Sequence, residues 1–433
     1  MARSVPTAEP VDHLLSKVRF AIPPTTSDCE AESIGACYSP FQLRTAYGMT
    51  SLYARGETGR GETIVLVDCF GSPTIARDLR TFDTAFHIVA PPSFRIVRPA
   101  GRIPRWNPHS STMVGWGSET TLDVEWAHAM APGASILLIE TPVAETEGSV
   151  GFPQIMRAET YVIKHDNPAV ISQSFAATEQ TFSSPAAIEA LRGAFKLARR
   201  HQVTVLAAAG DTGATSERAN GAYYRRRVVD WPASDPLVTA VGGTRVGLEA
   251  DGHRLRPDSV WNDSKSGDGG AGSGGVSSVF PRPAWQSSVA RIVGDHRGIP
   301  DISMSASPDA GAIVYLSFPG SASGFGVAGG TSEATPLFAG IVAVADQEAG
   351  RHLGFLNPLL YSLAATDSAR HGIVDVTVGN NTLYFTRHGH HYRVQGYEAA
   401  PGYDLASGLG TIDGARFIRA VVASLATPSP VKS

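Results

Sequence analysis

Glu119 and Asp123, in the stretch SETTLDVEW (118–126), stand four residues apart. On a helix they share one face, where two like charges repel. They also lie beside Leu122 and Trp126, residue types that face a core, with Met130 one turn further on. Two readings are open: a helix with one solvated acidic edge, or a carboxyl pair close enough to share a proton. In the second, the pKa of one member rises and it becomes a usable general base or acid. Asp211 follows the apolar run LAAAG (206–210). It reads either as ordinary Asp-x-Gly turn chemistry or as a carboxyl presented at the carboxyl end of a strand. Ser332 lies in GGTSEATPLFAG (329–340), where small residues lead into a long apolar helix with Pro336 in its first turn. It is either a helix N-cap or a nucleophile placed where backbone N–H groups favour developing negative charge.

A nucleophilic serine usually works with a histidine. Of the 13 histidines, His128 falls inside the helix that carries Glu119 and reads as structural. His388, His390 and His391, in RHGHHYR (387–393), read as a polar hairpin rather than as a base or a metal site. That returns the search for a base to the carboxylates.

These residues need a scaffold that brings them together. GETIVLVDCFG (61–71), GASILLIE (133–140), PAVISQSF (168–175), QVTVLAAAG (202–210) and PLVTAVGGT (236–244) are short, β-rich apolar runs that read as buried strands. SPAAIEALRGAFKLARRH (184–201) has a Ser-Pro start, helical spacing and a basic last turn, and is expected to be one helix. Buried strands alternating with helices predict a doubly wound, mostly parallel α/β sheet flanked by helices, which binds ligands beyond the carboxyl ends of its strands. Regular structure is expected to begin near YSPFQLRTAYG (38–48), after a Pro-rich, polar leader. KSGDGGAGSGG (265–275) lacks the Gly-Lys-Ser/Thr ending of a phosphate loop and reads as a mobile loop.

Bulk composition sets the outer limits. The chain has 433 residues, 42% hydrophobic and 18% charged, enough for a sizeable core. Net charge is −4 with no basic block, so neither nucleic acid nor a membrane is an expected partner. No apolar run approaches the roughly 18 residues of a membrane span. Of three cysteines, Cys29 and Cys37 either pair, which implies an oxidising compartment, or stay free; Cys69 is left over.

Taken in order along the chain, these stretches resemble the sedolisins, serine-carboxyl peptidases with a subtilisin-like fold. The resemblance runs from about Tyr38 to about Phe417 and includes YSPFQLRTAYG, SETTLDVEWAHAMAPGA, ISQSFAATE, AAAGDTGA, WPASDPLVTAVGGT, GGVSSVFPRPAWQ, PDISMSASPDAG and GGTSEATPLFAG. VDVTVG (374–379) and APGYDLASGLGT (400–411) resemble the family's calcium-site region. Nothing resembles the His-Gly-Thr-His motif of the subtilisins. The resemblance implies a single catalytic domain over 37–425, a leader or remnant over 1–36 expected to be poorly ordered, and a tail over 426–433. It implies Ser332 as nucleophile, Glu119 as general base, Asp123 as the group that orients Glu119, and a protonated Asp211 as oxyanion donor. Asp68 stands where some members extend this network. One structural calcium ion is implied, held by Asp375 and Asp404 side chains and the carbonyls of Val376, Ala400 and Gly402, with Ala400 where a Gly is usual. The expected protein is a secreted, extracellular, monomeric acid endopeptidase acting on polypeptides. A tripeptidyl-peptidase variant, or an inactive peptide-binding relative, are the alternatives.

Overall fold

The computed structural model describes residues 18–266, 270–387 and 390–426. Its centre is an eight-stranded sheet made of β1 (Thr63–Cys69), β2 (Phe94–Val97), β3 (Ser135–Thr141), β4 (Val170–Gln173), β5 (Thr204–Ala208), β6 (Thr239–Arg245), β7 (Ser259–Val260) and β8 (Ile302–Ser305). The strand order is β7-β6-β5-β4-β1-β3-β2, with β8 also paired to β6. Every pair is parallel except β7 with β6. This is the expected doubly wound sheet. The chain turns from one side of β1 to the other between β3 and β4, so the switch point lies at the carboxyl end of β1, where such sheets hold ligands.

The period of two along β1 explains the two cores. Val65 and Val67 join the apolar cluster on one face, and Ile64 and Leu66 the larger cluster on the other. Asp68 continues the second series and therefore points at the face covered by two long helices, α1 (Ser111–Met130) and α2 (Thr331–Ala349). From Trp116 to Met130 every residue of α1 is buried, because the sheet lies on one side and α2 on another. The polar residues are accommodated locally: Thr120 and Thr121 donate to the carbonyls of Trp116 and Gly117 at 2.7 and 2.8 Å.

Both helices run from the carboxyl edge of the sheet to its opposite edge. Beyond the end of α1, Gly133 N–H donates to Thr58 O at 2.7 Å, just ahead of β1. Near the end of α2, Gln347 Oε1 accepts from the N–H groups of Thr58, Gly59 and Arg60 at 2.9, 2.7 and 2.8 Å. The two helices are therefore parallel. They touch where Gly340 meets Met130: a Cβ at Gly340 would come within 2.4 Å of the Met130 Cβ, so only glycine permits this approach.

Three elements differ from the sequence reading. Regular structure begins earlier than Tyr38, with a helix over Thr26–Ala31 and a strand over Ala36–Tyr38 that pairs with Ala310–Leu316. Cys29 and Cys37 form a disulfide across this segment, and both are buried. The helix expected over 184–201 is two helices, Pro185–Leu191 and Gly193–Arg200, which meet at Arg192. Arg192 leaves the helical path (ψ 2°), and its guanidinium pairs with the buried Asp235 at 2.6 Å. The second half of the glycine-rich segment is packed rather than loose: Ala271 and Ser273 N–H groups donate to the carbonyls of Asp211 and Gly210 at 2.9 and 2.8 Å. The calls on 1–17, 427–433 and His388 lie outside the described residues.

Candidate active site

The carboxyl ends of β1, β4 and β5 and the amino-terminal halves of α1 and α2 converge on one buried region. Ser332 occupies the first turn of α2. Gly330, just before the helix, has φ +95°, a conformation that favours glycine. The Ser332 side chain is buried, and its Oγ has no hydrogen-bond partner among the described residues.

Asp211 is stitched to the same helix end. Its Oδ1 accepts from Thr331 N–H at 2.8 Å and from Thr331 Oγ1 at 2.7 Å, while Gly210 N–H donates to Thr331 Oγ1 at 3.1 Å. Its Oδ2 is buried with no hydrogen-bond partner among the described residues. Burial pushes the Asp211 carboxyl up to about 7; the two bonds from Thr331 pull it down, and Asp230 pushes it further up. In acid Asp211 is therefore a neutral acid. With Oδ1 accepting twice, the proton belongs on Oδ2, a buried donor next to the start of α2.

Glu119 and Asp123 are fully buried on α1, so the solvated-edge reading does not apply. Measured from the Gly340–Met130 contact, Ser332 lies about 12 Å up α2, while Asp123 and Glu119 lie about 10 and 16 Å up α1 at 1.5 Å per residue. The parallel helices thus bring Ser332 to the level between the two carboxyls. Asp123 is held well above the ordinary aspartate range by burial, moderated by Ser174 Oγ, which donates to its Oδ1 at 2.8 Å. Asp68 is also raised well above its ordinary value, first by burial and then by the nearby charges of Asp123 and Glu140, with the Thr120 hydroxyl opposing the shift. The charge of Asp123 thus adds to burial in raising Asp68, so the two acids influence each other's ionisation. A cavity of about 440 Å³ off the ends of β1 and β3 is lined by Phe70, Ile75, Arg98, Trp106, Met113 and Glu140, and by none of Ser332, Glu119, Asp123 or Asp211.

Sequence reasoning did not single out several residues here. Ser174 meets Asp123 across 51 positions of chain, and its only signal is membership of the SQSF stretch after β4. Asp230 lies beneath Gly210, so close that a Cβ there would meet its Oδ2 at 2.8 Å, and burial raises it to about 7. Glu125 and Glu333 flank the named residues, are fully buried, and are raised well above the glutamate range by burial; Glu125 accepts from Tyr315 N–H at 2.9 Å. His128 bonds Val89 O at 3.1 Å and lies 3.3 Å from Asp83, in keeping with a structural role. His390 and His391 are exposed on a hairpin.

The five residues expected to hold a metal lie in two loops that meet. Gly402 N–H donates to Asp375 Oδ2 at 2.8 Å, and Asp375 Oδ1 is buried without a hydrogen-bond partner among the described residues. Asp404 accepts from the N–H groups of Ala400, Ala406 and Ser407 at 3.0, 2.8 and 2.9 Å. Ser407 Oγ lies 3.4 Å from Val376 O. Two carboxylates beside backbone carbonyls form a hard-oxygen set, and the orphaned Asp375 oxygen fits a cation. No group of three His, Cys, Asp or Glu residues suited to a metal occurs among the described residues.

Comparisons agree with this architecture. The subtilase family profile matches residues 97–368. Kumamolisin of Bacillus sp. (strain MN-32) is 34% identical over 400 residues, 91% of this chain and 65% of that protein. Sedolisin of Pseudomonas sp. (strain 101) is 28% identical over 387 residues, 87% of this chain and 60% of that protein. A solved structure of Pseudomonas sedolisin, a serine-carboxyl proteinase complexed with two molecules of pseudo-iodotyrostatin, matches with a TM-score of 0.74 at 25% identity, covering 89% of this chain and 98% of that one. The chain spans less than two thirds of the length of either curated relative.

The raised pKa values carry a stability consequence whose sign is fixed. A carboxyl at about 7 when folded, against about 4 when unfolded, favours the folded state fully below pH 4. That contribution, on the order of 4 kcal/mol for Asp211, is lost as pH rises through 7. Urea unfolding at pH 4 and pH 8 is expected to show a less stable protein at pH 8, and Asp211→Asn is expected to reduce the difference. Parallel curves for the two proteins would mean that Asp211 ionises normally.

Proposed function

Because the chain belongs to the subtilase family, and within it to the sedolisins, we propose that it is an acid-acting serine-carboxyl endopeptidase. The observation that carries this reading is Asp211: a buried carboxyl fastened to Thr331, raised to about 7, with a free oxygen beside the helix end that bears Ser332. A subtilase with a histidine base has no use for a neutral acid there. A tetrahedral oxyanion does, since a preorganised donor in a dry site stabilises it more than water would.

In this mechanism Ser332 Oγ attacks the scissile carbonyl and Glu119 takes its proton. Glu119 then returns that proton to the leaving amine, giving an acyl-enzyme, and activates water for deacylation. Asp123 holds Glu119 in place and is itself held by Ser174; Asp68 extends the proton-sharing group. Asp211 Oδ2–H and the Ser332 N–H face the oxyanion. Activity then requires Asp211 to be protonated while Glu119 still accepts a proton, which confines it to acid.

We further propose that calcium ties the C-terminal loops to the body, held by Asp375 and Asp404 and by the carbonyls of Val376, Ala400 and Gly402. Bound there, the ion would supply structural cross-linking. The Cys29–Cys37 disulfide supports an oxidising, extracellular setting. Among the described residues no helix is long and apolar enough to cross a membrane.

Casein cleavage is expected to peak below about pH 5 and to fall by about 100-fold or more in Glu119→Ala, the usual range for loss of a general base. A neutral or alkaline optimum that survives the substitution would refute the carboxylate base. Internal fragments of a long peptide are expected; a ladder of tripeptides would indicate the exopeptidase mode instead. Chelation is expected to lower the melting temperature of the wild type, with little further effect on Asp375→Asn; a wild type indifferent to chelator would remove calcium from the account.

A further inference from the structure

Segment 217–227 and the hairpin of β9 (Leu383–Arg387) and β10 (His390–Val394) take no part in the chemistry above. Together they carry six arginines, Arg218, Arg225, Arg226, Arg227, Arg387 and Arg393, against one carboxylate, Glu217, in a chain whose net charge is −4. All six are exposed, and among the described residues none is in an ion pair.

Aromatic rings position four of them instead. Arg225 lies 4.4 Å over the Tyr392 ring and donates to its hydroxyl at 3.0 Å. Tyr392 in turn stacks on Phe385 at 5.1 Å, and Phe385 meets Tyr223 edge-on at 4.9 Å. Tyr224 is flanked by Arg218 at 4.5 Å and Arg226 at 5.5 Å, and on the opposite face of the hairpin Arg393 lies 5.8 Å from the Tyr384 ring. A guanidinium seated on a ring is oriented while its N–H edge stays open to an acceptor. Arg227 is spent otherwise: it donates to the carbonyls of Gln395 and Gly396, each at 2.9 Å, and so fastens the two segments together.

This surface is continuous with the chain leaving Asp211. Ala214 N–H donates to Asn381 O at 3.0 Å, Thr215 Oγ1 donates to Tyr224 O at 2.9 Å, and a Cβ on Gly213 would meet Asn381 O at 2.4 Å.

We propose that this arginine–tyrosine surface docks an acidic stretch of the polypeptide substrate, away from the bond that is cut. The proposal rests on the peptidase reading of the site. Guanidinium groups match carboxylates in bidentate geometry, and a cluster of cations with no carboxylate partner raises both the capture rate and the selectivity for acidic segments.

The test uses the full chain as Ser332→Ala and two labelled peptides of equal length around one scissile sequence, one ending in six Asp and Glu residues and the other in Asn and Gln. At pH 5 and low salt the acidic peptide is expected to bind about tenfold more tightly, with most of that gain lost at high salt. Adding Arg218→Glu, Arg225→Glu and Arg226→Glu, with an unchanged circular dichroism spectrum, is expected to abolish the preference. Equal affinities, or a preference that survives the three substitutions, would overturn the proposal, as would an acidic polysaccharide outcompeting the acidic peptide. Casein cleavage by the wild type reports separately on the peptidase reading: cut casein without acidic-peptide preference sinks the docking surface alone. Uncut casein with the preference intact sinks the peptidase reading and keeps the surface as an acidic-peptide site.

Discussion

Taking a carboxyl group out of water is the constraint on which the rest of this structure turns. Burial penalises the charged form, so an acid in a dry site either finds compensating donors or keeps its proton. Asp68, Asp123, Asp211, Asp230, Glu125 and Glu333 are all buried, and for each of them burial is the largest influence, directed upward. Their upward shifts suit the burial of α1 from Trp116 to Met130, a stretch that carries three carboxyls, Glu119, Asp123 and Glu125. Ionised together, they would repel one another in a low-dielectric interior; protonated or sharing protons, they pack as polar but neutral groups.

The backbone makes this arrangement specific. The sheet sends β1 to its switch point, and the period of two aims Asp68 at the helix layer. Gly340 lets α2 lie against Met130 without an intervening side chain, which sets the level of Ser332 against the α1 carboxyls. Thr331 joins α2 to the end of β5 through Asp211, and Ser174 joins α1 to the end of β4 through Asp123. Two helices and two strand ends are thus tied by hydrogen bonds to carboxyl groups, so the chemistry and the packing depend on the same protons.

Much of this was legible in the sequence. The five apolar runs became strands because buried parallel strands need continuous apolar residues, and a sheet of that kind restricts where a site lies. Glu119 and Asp123 announced themselves by standing where a helix should be apolar. What stayed hidden depended on tertiary approach. Ser174 is an unremarkable serine until the fold carries it across to Asp123, and Asp230 follows a run of arginines that says nothing of its burial beneath Gly210. The break at Arg192 comes from an ion pair with Asp235, 43 residues away. The glycine-rich segment read as loose because composition reports freedom in the unfolded chain. Its ordered half uses that freedom for close approach: a Cβ on Gly274 would meet Leu405 O at 2.2 Å.

The central claim is that Asp211 keeps its proton well above the ordinary carboxyl range. Carbon-13 NMR of protein labelled at the aspartate side-chain carboxyl carbon, titrated from pH 3 to pH 9, measures this directly, with Asp211→Asn identifying the resonance. The account predicts one resonance, absent from the variant, whose midpoint lies at about 7. If that resonance instead completes its titration below pH 5, Asp211 is ionised like an exposed acid, and a neutral donor at the Ser332 helix end is contradicted.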